Sequence, residues 1–220
     1  RGSLLPMSPD VKQTKFADAS ELTPITSSAN AEVKLLRSLH ERKYRRKTGW
    51  FLAEGMRICI EALQLGHAPV RIVYAAGREA EPGLSTLIAA CQKSGGRVLP
   101  VTEHLLSRIS CKDNPQMVIG AFVQKWTNIE EINACLSSAG SWVALDRVRD
   151  PGNLGTILRT ADAAAAAGII LIDHCTDPYS VEAVRASMGA VFNVCLAQAT
   201  AAEFSSFCQS WQGSVIGTAL

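Results

Sequence analysis

The residues best suited to chemistry form one run, Leu145-Asp146-Arg147-Val148-Arg149-Asp150-Pro151-Gly152-Asn153-Leu154-Gly155-Thr156-Ile157-Leu158-Arg159. It leaves a short apolar segment, turns at Pro151-Gly152, and enters a stretch where Leu154, Leu158, Ala161 and Ala165 recur at helical spacing. A strand that passes through a tight turn into a helix puts polar residues at the carboxyl edge of an open α/β sheet, where ligands bind. Asn153 stands where a helix N-cap would, and Thr156 and Arg159 share a stripe facing away from the apolar one. A free guanidinium has a pKa above about 12 and is a poor base at neutral pH. Its planar fork suits the anchoring of a phosphate. On spacing alone the plainer readings stand beside this one: Arg159 as a solvated charge, the glycines as loop geometry, Asp146 and Asp150 as caps of the turn or helix.

Other chemistries find less support. The four histidines, at 40, 67, 104 and 174, and the seven cysteines are dispersed, with no Cys-x-x-Cys pair. No metal site and no Ser/His/Asp or Cys/His arrangement is expected. Neither a Gly-x-Gly-x-x-Gly nor a Gly-Lys-Ser/Thr phosphate loop is present. The longest apolar run, Ala163 to Ile172, falls short of the roughly 20 residues that cross a membrane. With no secretory leader and free thiols, a cytoplasmic protein without a membrane partner is expected.

The net charge is only +2, but its distribution is uneven. Between residues 31 and 57 lie Lys34, Arg37, Arg42, Lys43, Arg45, Arg46, Lys47 and Arg57 against Glu32, Glu41 and Glu54, a local charge of +5. Such clustering suits phosphate, although a basic helix face is ordinarily just solvated.

The elements that must position these residues alternate. Residues 1–29 lack periodicity and read as a mobile arm, with Arg1 to Pro6 a remnant ahead of Met7. From Asn30 a helix is expected, which the basic run extends or follows. Strands are then expected at Trp50–Ala53, Val70–Ala75, Val98–Val101 and Met117–Gln124, with helices at Arg57–Leu65, Gly83–Ser94 and Thr102–Ile109. This describes an α/β domain over 30–125. A linker helix spans 126–140, and a second α/β unit over 141–220 has strands at Trp142–Leu145, Ile169–Ile172, Val191–Leu196 and Val215–Ile216. Helices at Asn153–Ala167, Ser180–Gly189 and Ala201–Gln212 cross between them. Apolar strands joined by helices imply a buried parallel sheet.

The stretch Asp150-Pro151-Gly152-Asn153-Leu154-Gly155-Thr156 through Arg159-Thr160-Ala161-Asp162 resembles the first signature motif of the SpoU class of RNA ribose methyltransferases. Asp177-Pro178-Tyr179-Ser180 and Val184-Arg185-Ala186-Ser187-Met188-Gly189-Ala190 match the segments that follow it. Upstream, Glu41 to Arg46, Phe51 to Gly55 and Pro115-Gln116 are similar to the family's substrate-binding domain, which resembles ribosomal protein L30e. The resemblance covers Asn30 to Leu220. It implies a small L30e-like domain followed by a parallel-sheet SPOUT domain with an α/β knot, and methyl transfer from S-adenosylmethionine to a ribose 2′-hydroxyl. Ribosomal RNA is preferred over transfer RNA as substrate.

Carried onto this chain, Asn153 and Arg159 are the catalytic pair. Arg42, Lys43, Arg45, Arg46, Lys47, Arg147, Arg149 and Arg185 would contact RNA, Arg185 being equally open to an ion pair. Tyr44 and Trp50 could stack on an unpaired base. Ser187 and Gly189 suit close helix packing. Gly217-Thr218-Ala219-Leu220 matches the first cofactor-lining loop, so Thr218, Ala219 and Leu220 are the implied cofactor contacts. The Asn-Glu and Ser-Leu-Asn motifs that the family carries next do not occur. The catalytic domain is therefore expected to be truncated before the knot, inactive alone and poor at binding the cofactor, the full-length form being a homodimer. Two rivals stay open: a non-catalytic RNA-binding module, and a doubly wound nucleotide enzyme using Asp150 to Gly155 as its phosphate turn.

Overall fold

The computed structural model describes residues 22–134 and 140–218. Helix α1, Ala31–Ser38, is capped by the Asn30 side chain on the Glu32 amide and buries Val33 and Leu36. The basic run does not extend α1. After a break at 39–41 it forms its own helix α2, Arg42–Thr48, ended by Gly49 at φ 69°. A left-handed terminus of this kind is one glycine adopts without strain.

Strand β1, Trp50–Glu54, helix α3, Met56–Gln64, strand β2, Arg71–Ala75, helix α4, Leu84–Lys93, strand β3, Arg97–Val101, helix α5, Glu103–Ser110, and strand β4, Val118–Val123, follow. The sheet order is β1-β4-β2-β3. β4 runs antiparallel to both β1 and β2, while β2 and β3 are parallel. The expected arm is partly tethered: Ile25 bridges to Val101, its amide donating to the Pro100 carbonyl at 2.9 Å, along the outer edge of β3. Residues 1–21 lie outside the described residues.

Helix α6, Ile129–Ala134, opens the connection, whose expected continuation to Ser138 lies outside the described residues. The second sheet is parallel throughout, ordered β5 (Trp142–Asp146), β6 (Gly168–Ile172), β7 (Cys195–Ala199). Helix α7, Pro151–Ala163, and helix α8, Val181–Ala186, make the crossovers, and α9, Ala201–Ser210, follows β7. α7 ends earlier than expected. Ala165, expected on its apolar stripe, is exposed at φ 52°.

The strand expected at Val191–Leu196 is displaced. Residues Ala190–Phe192 form a 3-10 turn behind Gly189, and β7 begins only at Cys195. A continuous apolar run does not distinguish a strand from a buried turn. Val215 and Ile216, expected as a strand, form none and are exposed.

One buried cluster spans both sheets, beside a smaller one in each. The Phe51 ring lies 4.6 Å from Tyr179 and 5.4 Å from Phe192, and Phe122 meets Phe192 edge-on at 4.9 Å. These rings knit β1 and β4 to the segment that carries α8. Burying several aromatic rings makes the seam a cohesive contact.

Candidate active site

The pairing Asp146 to Ile172 to Ala199 aligns the carboxyl ends of β5, β6 and β7. The loops after β5 and β6 therefore open from one edge. They are joined there by the Thr176 amide, which donates to the Val148 carbonyl at 2.7 Å. Cys175, buried, lies with its thiol 3.2 Å from the Leu145 carbonyl.

The N-cap of α7 is Asp150, which corrects the expectation that Asn153 caps it. Its Oδ1 accepts the Asn153 amide at 2.6 Å, and Pro151 follows in the first turn. Proline belongs at that position because the first turn's amides have no helical partners to lose. Asn153 is thus already helical and exposed, with its backbone satisfied.

At about 100° per residue, Asn153 and Arg159 lie roughly 60° to either side of Thr156 on the exposed face of α7. All three are exposed, as is Thr160. The hydroxyls are occupied within the helix: Thr156 donates to the Gly152 carbonyl and Thr160 to the Thr156 carbonyl, both at 2.9 Å. The amide of Asn153 and the guanidinium of Arg159 are therefore the groups this face presents outward. The opposite face buries Leu154, Gly155, Leu158 and Ala161.

Gly155 is no loop glycine. A Cβ there would meet the Ala186 Cβ at 2.4 Å and the Ala183 carbonyl at 2.8 Å, so it sets the close approach of α7 and α8. Ser187 and Gly189 serve packing as expected. Ser187 is buried and donates to the Val184 carbonyl at 2.8 Å, and Gly189, at φ 98°, approaches the Glu61 carboxylate.

Of the expected RNA contacts, Arg42, Lys43, Arg46 and Lys47 are exposed on α2. Arg45 is not available, which corrects that expectation. Its side chain is 4% exposed, and the guanidinium donates to Asp177 Oδ2 through Nε at 3.0 Å and Nη2 at 2.8 Å and to the Leu39 and His40 carbonyls through Nη1 at 2.8 Å each. A helix packed on a core turns one side inward, and only the partner across the seam makes a buried charge tolerable there. Asp177 in turn takes the Tyr179 amide on Oδ1 at 2.9 Å.

Trp50 is half-buried and carries the Arg71 guanidinium 4.8 Å over its ring, while Tyr44 carries Lys43 at 5.0 Å. The Trp50 ring is thus occupied by a cation of the same domain rather than offered to a base. Arg149 is exposed beside the turn. Arg147, in the left-handed region at φ 53°, pairs through both arms of its fork with Asp146, at 2.9 and 2.7 Å. The hydrogen bond from that guanidinium holds the Asp146 carboxyl below its ordinary range. Both side chains are exposed, so the pair is weak enough to exchange for a phosphate.

Arg185 is exposed but reaches Glu54 Oε2 at 3.3 Å, the same oxygen that Lys112 engages. Glu54, with 4% of its side chain exposed, has its pKa raised by burial. Ser110, Arg185 and His40 partly counter the shift, and Glu182 adds to it. Its Oε1 and the Ser110 Oγ are buried and complete no hydrogen bond among the described residues, although the Ser110 hydroxyl is close enough to bear on the carboxyl. Sequence reasoning gave no role to Glu54 or Asp177. The signal was a carboxylate within each matched motif whose partner lies over a hundred residues away.

Of the expected cofactor contacts, Thr218 is exposed, and Ala219 and Leu220 lie outside the described residues. With Val215 61% and Ile216 86% exposed, the described residues of this segment form no cradle for a nucleoside.

Residues 30–120 match the MRM3-like substrate binding domain and residues 140–220 match the SpoU rRNA Methylase family. An rRNA methyltransferase from Sinorhizobium meliloti is 44% identical and superposes with a TM-score of 0.77, covering 85% of this chain and 69% of that one. The chain belongs to the SpoU rRNA methylase family. A relative from Bacillus subtilis, a 23S rRNA (guanosine(2553)-2′-O)-methyltransferase, is 28% identical over 89% of this chain and 73% of its own length. An uncharacterized tRNA/rRNA methyltransferase from Synechocystis is 35% identical over 77% of this chain, which spans 60% of that relative. The mixed and parallel sheets are those of the SpoU fold. The exposed α7 face and the basic α2 helix come from the two matched regions, which the Arg45 to Asp177 pair joins by tying α2 to the loop before α8.

Proposed function

We propose that this chain grips RNA through α2 and presents a ribose to the α7 face of an S-adenosylmethionine-dependent 2′-O-ribose methyltransferase, with ribosomal RNA as substrate. The observation that carries this reading is a continuous tie from the basic helix to the catalytic turn. Arg45 bonds Asp177, and one residue before it the Thr176 amide bonds Val148, which leads into Asp150 and Asn153. Phosphates held along Arg42, Arg46 and Lys47 are thereby fixed relative to Asn153 and Arg159.

The chemistry demanded of these residues is positioning, since orienting two reactants supplies a large share of such a barrier. Arg159 forks onto the phosphate beside the target ribose and keeps a positive charge near the hydroxyl that must become nucleophilic. Asn153 offers a donor and an acceptor at the end of α7 nearest the turn. The Bacillus relative is described as a 2′-O-methyltransferase of 23S rRNA, and the Sinorhizobium protein has also been solved with AdoMet bound.

The test is to incubate the full-length protein with labelled S-adenosylmethionine and either ribosomal or transfer RNA, then map alkali-resistant linkages. A resistant linkage in ribosomal RNA is expected. Salt-dependent binding without methylation of either RNA would leave the non-catalytic RNA-binding module instead.

A further inference from the structure

The connection between the two sheets borders an open cavity of about 490 Å³. Ligand sites favour domain interfaces and run to about 300–1,000 Å³. Its inner wall is aromatic, made by buried Phe51, Tyr179 and Phe192. Burial pushes the Tyr179 hydroxyl far above its usual range, and it donates to the Lys125 carbonyl at 2.6 Å, which pins the ring.

The rim differs in kind. Trp126 is 39% exposed, held by its Nε1 donating to Gln124 Oε1 at 3.1 Å, and stands edge-on to Tyr179 at 5.2 Å. A large ring that is fixed in place yet left wet is the usual platform for an unstacked base. Lys125 and His67 also line the cavity, and no carboxylate does among the described residues. Burial and then the Lys125 charge hold the His67 imidazole below its ordinary range, a Phe192 backbone contact partly opposing them. His67 is thus neutral near pH 7, able to donate or accept a hydrogen bond.

The rim also continues the basic helix. The Gln124 amide donates to the Gly49 carbonyl at 2.7 Å, and its side chain donates to the Arg45 carbonyl at 3.1 Å. The residue that ends α2 is therefore bonded to the residue that begins the rim, just beyond Arg46 and Lys47.

We propose that this cavity takes one unstacked nucleotide of a single-stranded RNA segment whose phosphates lie along α2, with the base against Trp126 and Tyr179 and a phosphate near Lys125. The assignment rests on the RNA reading above and adds to it a base-binding site apart from the α7 face. A stacked base contributes by contact rather than by ion release, so its loss weakens binding without changing the salt dependence.

The experiment titrates this chain with a short single-stranded oligoribonucleotide and, separately, with a nucleoside monophosphate, following tryptophan fluorescence. Trp126→Ala is expected to weaken oligonucleotide binding about tenfold with an unchanged salt slope. Trp126→Phe keeps most of the affinity, and ultraviolet crosslinks fall at 124–127 or Tyr179. Arg46→Ala lowers the salt slope instead. Unaltered affinity in Trp126→Ala, with Arg46→Ala still weakening binding, overturns the cavity and leaves the RNA reading standing. No binding by the unaltered chain overturns both. A monophosphate that binds as tightly as the oligonucleotide overturns the RNA segment in favour of a free nucleotide.

Discussion

Arg45 and Asp177 are 132 positions apart in sequence and form a buried ion pair at 2.8 Å across the seam between the two sheets. The helix whose outer face carries four exposed cations thus uses its fifth to hold the loop that begins α8. Both charges are nearly dry, so removing either strands the other. That costs about 3–5 kcal/mol, well beyond a surface pair. Asp177→Asn is expected to lower the thermal midpoint by roughly 6–20 °C at this chain length. Arg45→Met should act similarly while leaving the salt slope of RNA binding unchanged. A calorimetric scan and a salt titration read these effects, and a fall in slope for Arg45→Met would show that Arg45 meets phosphate after all.

The exposed face of α2 should behave in the opposite way. Arg42→Ala and Arg46→Ala remove solvated charges, so stability should shift by no more than about 0.5 kcal/mol. Each lost phosphate contact should reduce the slope of log affinity against log salt by about 0.7 on single-stranded RNA. Filter binding over a salt series measures this.

Gly155→Ala sets two magnitudes against each other. Alanine gains up to about 1 kcal/mol over glycine within a helix. The new Cβ would stand 2.4 Å from the Ala186 Cβ and 2.8 Å from backbone, so α7 and α8 must separate, and such overpacking costs about 1–3 kcal/mol. The variant is expected to be destabilised overall, as denaturant unfolding would report. A stabilised variant would mean that the two helices part freely.

Glu54 makes stability depend on pH. Burial raises its folded pKa above the ordinary 4.5. A carboxyl so raised favours the folded state below its unfolded pKa, and that contribution is lost as pH rises through the folded pKa. The stability of the unaltered protein relative to Glu54→Gln should therefore decline as pH is raised from about 4.5. Urea unfolding of both proteins across that range tests the sign. A difference that grows with pH would mean that Lys112 and Arg185 outweigh the burial.

Much of the fold was legible because its signals are local. The caps at Asn30 and Thr102 and the apolar β6 run lie within a few residues of the elements they specify. Asp150 displaced Asn153 as the cap because a Pro-Gly pair reads equally as a turn or as the first turn of a helix. Val191 to Leu196 misled because buried turns and strands share composition. Arg45 was illegible in principle, since nothing in Arg42 to Lys47 marks which cation faces Asp177. For the site itself, the α7 face followed from period and turn, but the tie from Val148 to Thr176 is a backbone bond between loops and has no side-chain signature.

Arg159→Lys isolates what the α7 face contributes. The side chain is exposed on a helix whose inner face is packed by Leu154, Leu158 and Ala161, so the thermal midpoint should be unchanged within the limits of a surface substitution. Lysine keeps the charge but offers a compact ammonium in place of a planar fork, and cannot hold a phosphate through two parallel bonds. If Arg159 fixes the phosphate beside the reacting ribose, methylation by the full-length protein should fall by about 10²–10³, as when a positioned donor is removed from a developing oxyanion. RNA affinity, carried by α2, should change far less. Single-turnover methylation and equilibrium binding measured side by side separate the two. Methylation at the unaltered rate would reduce Arg159 to a solvated charge and leave Asn153 as the polar group of this face to test next.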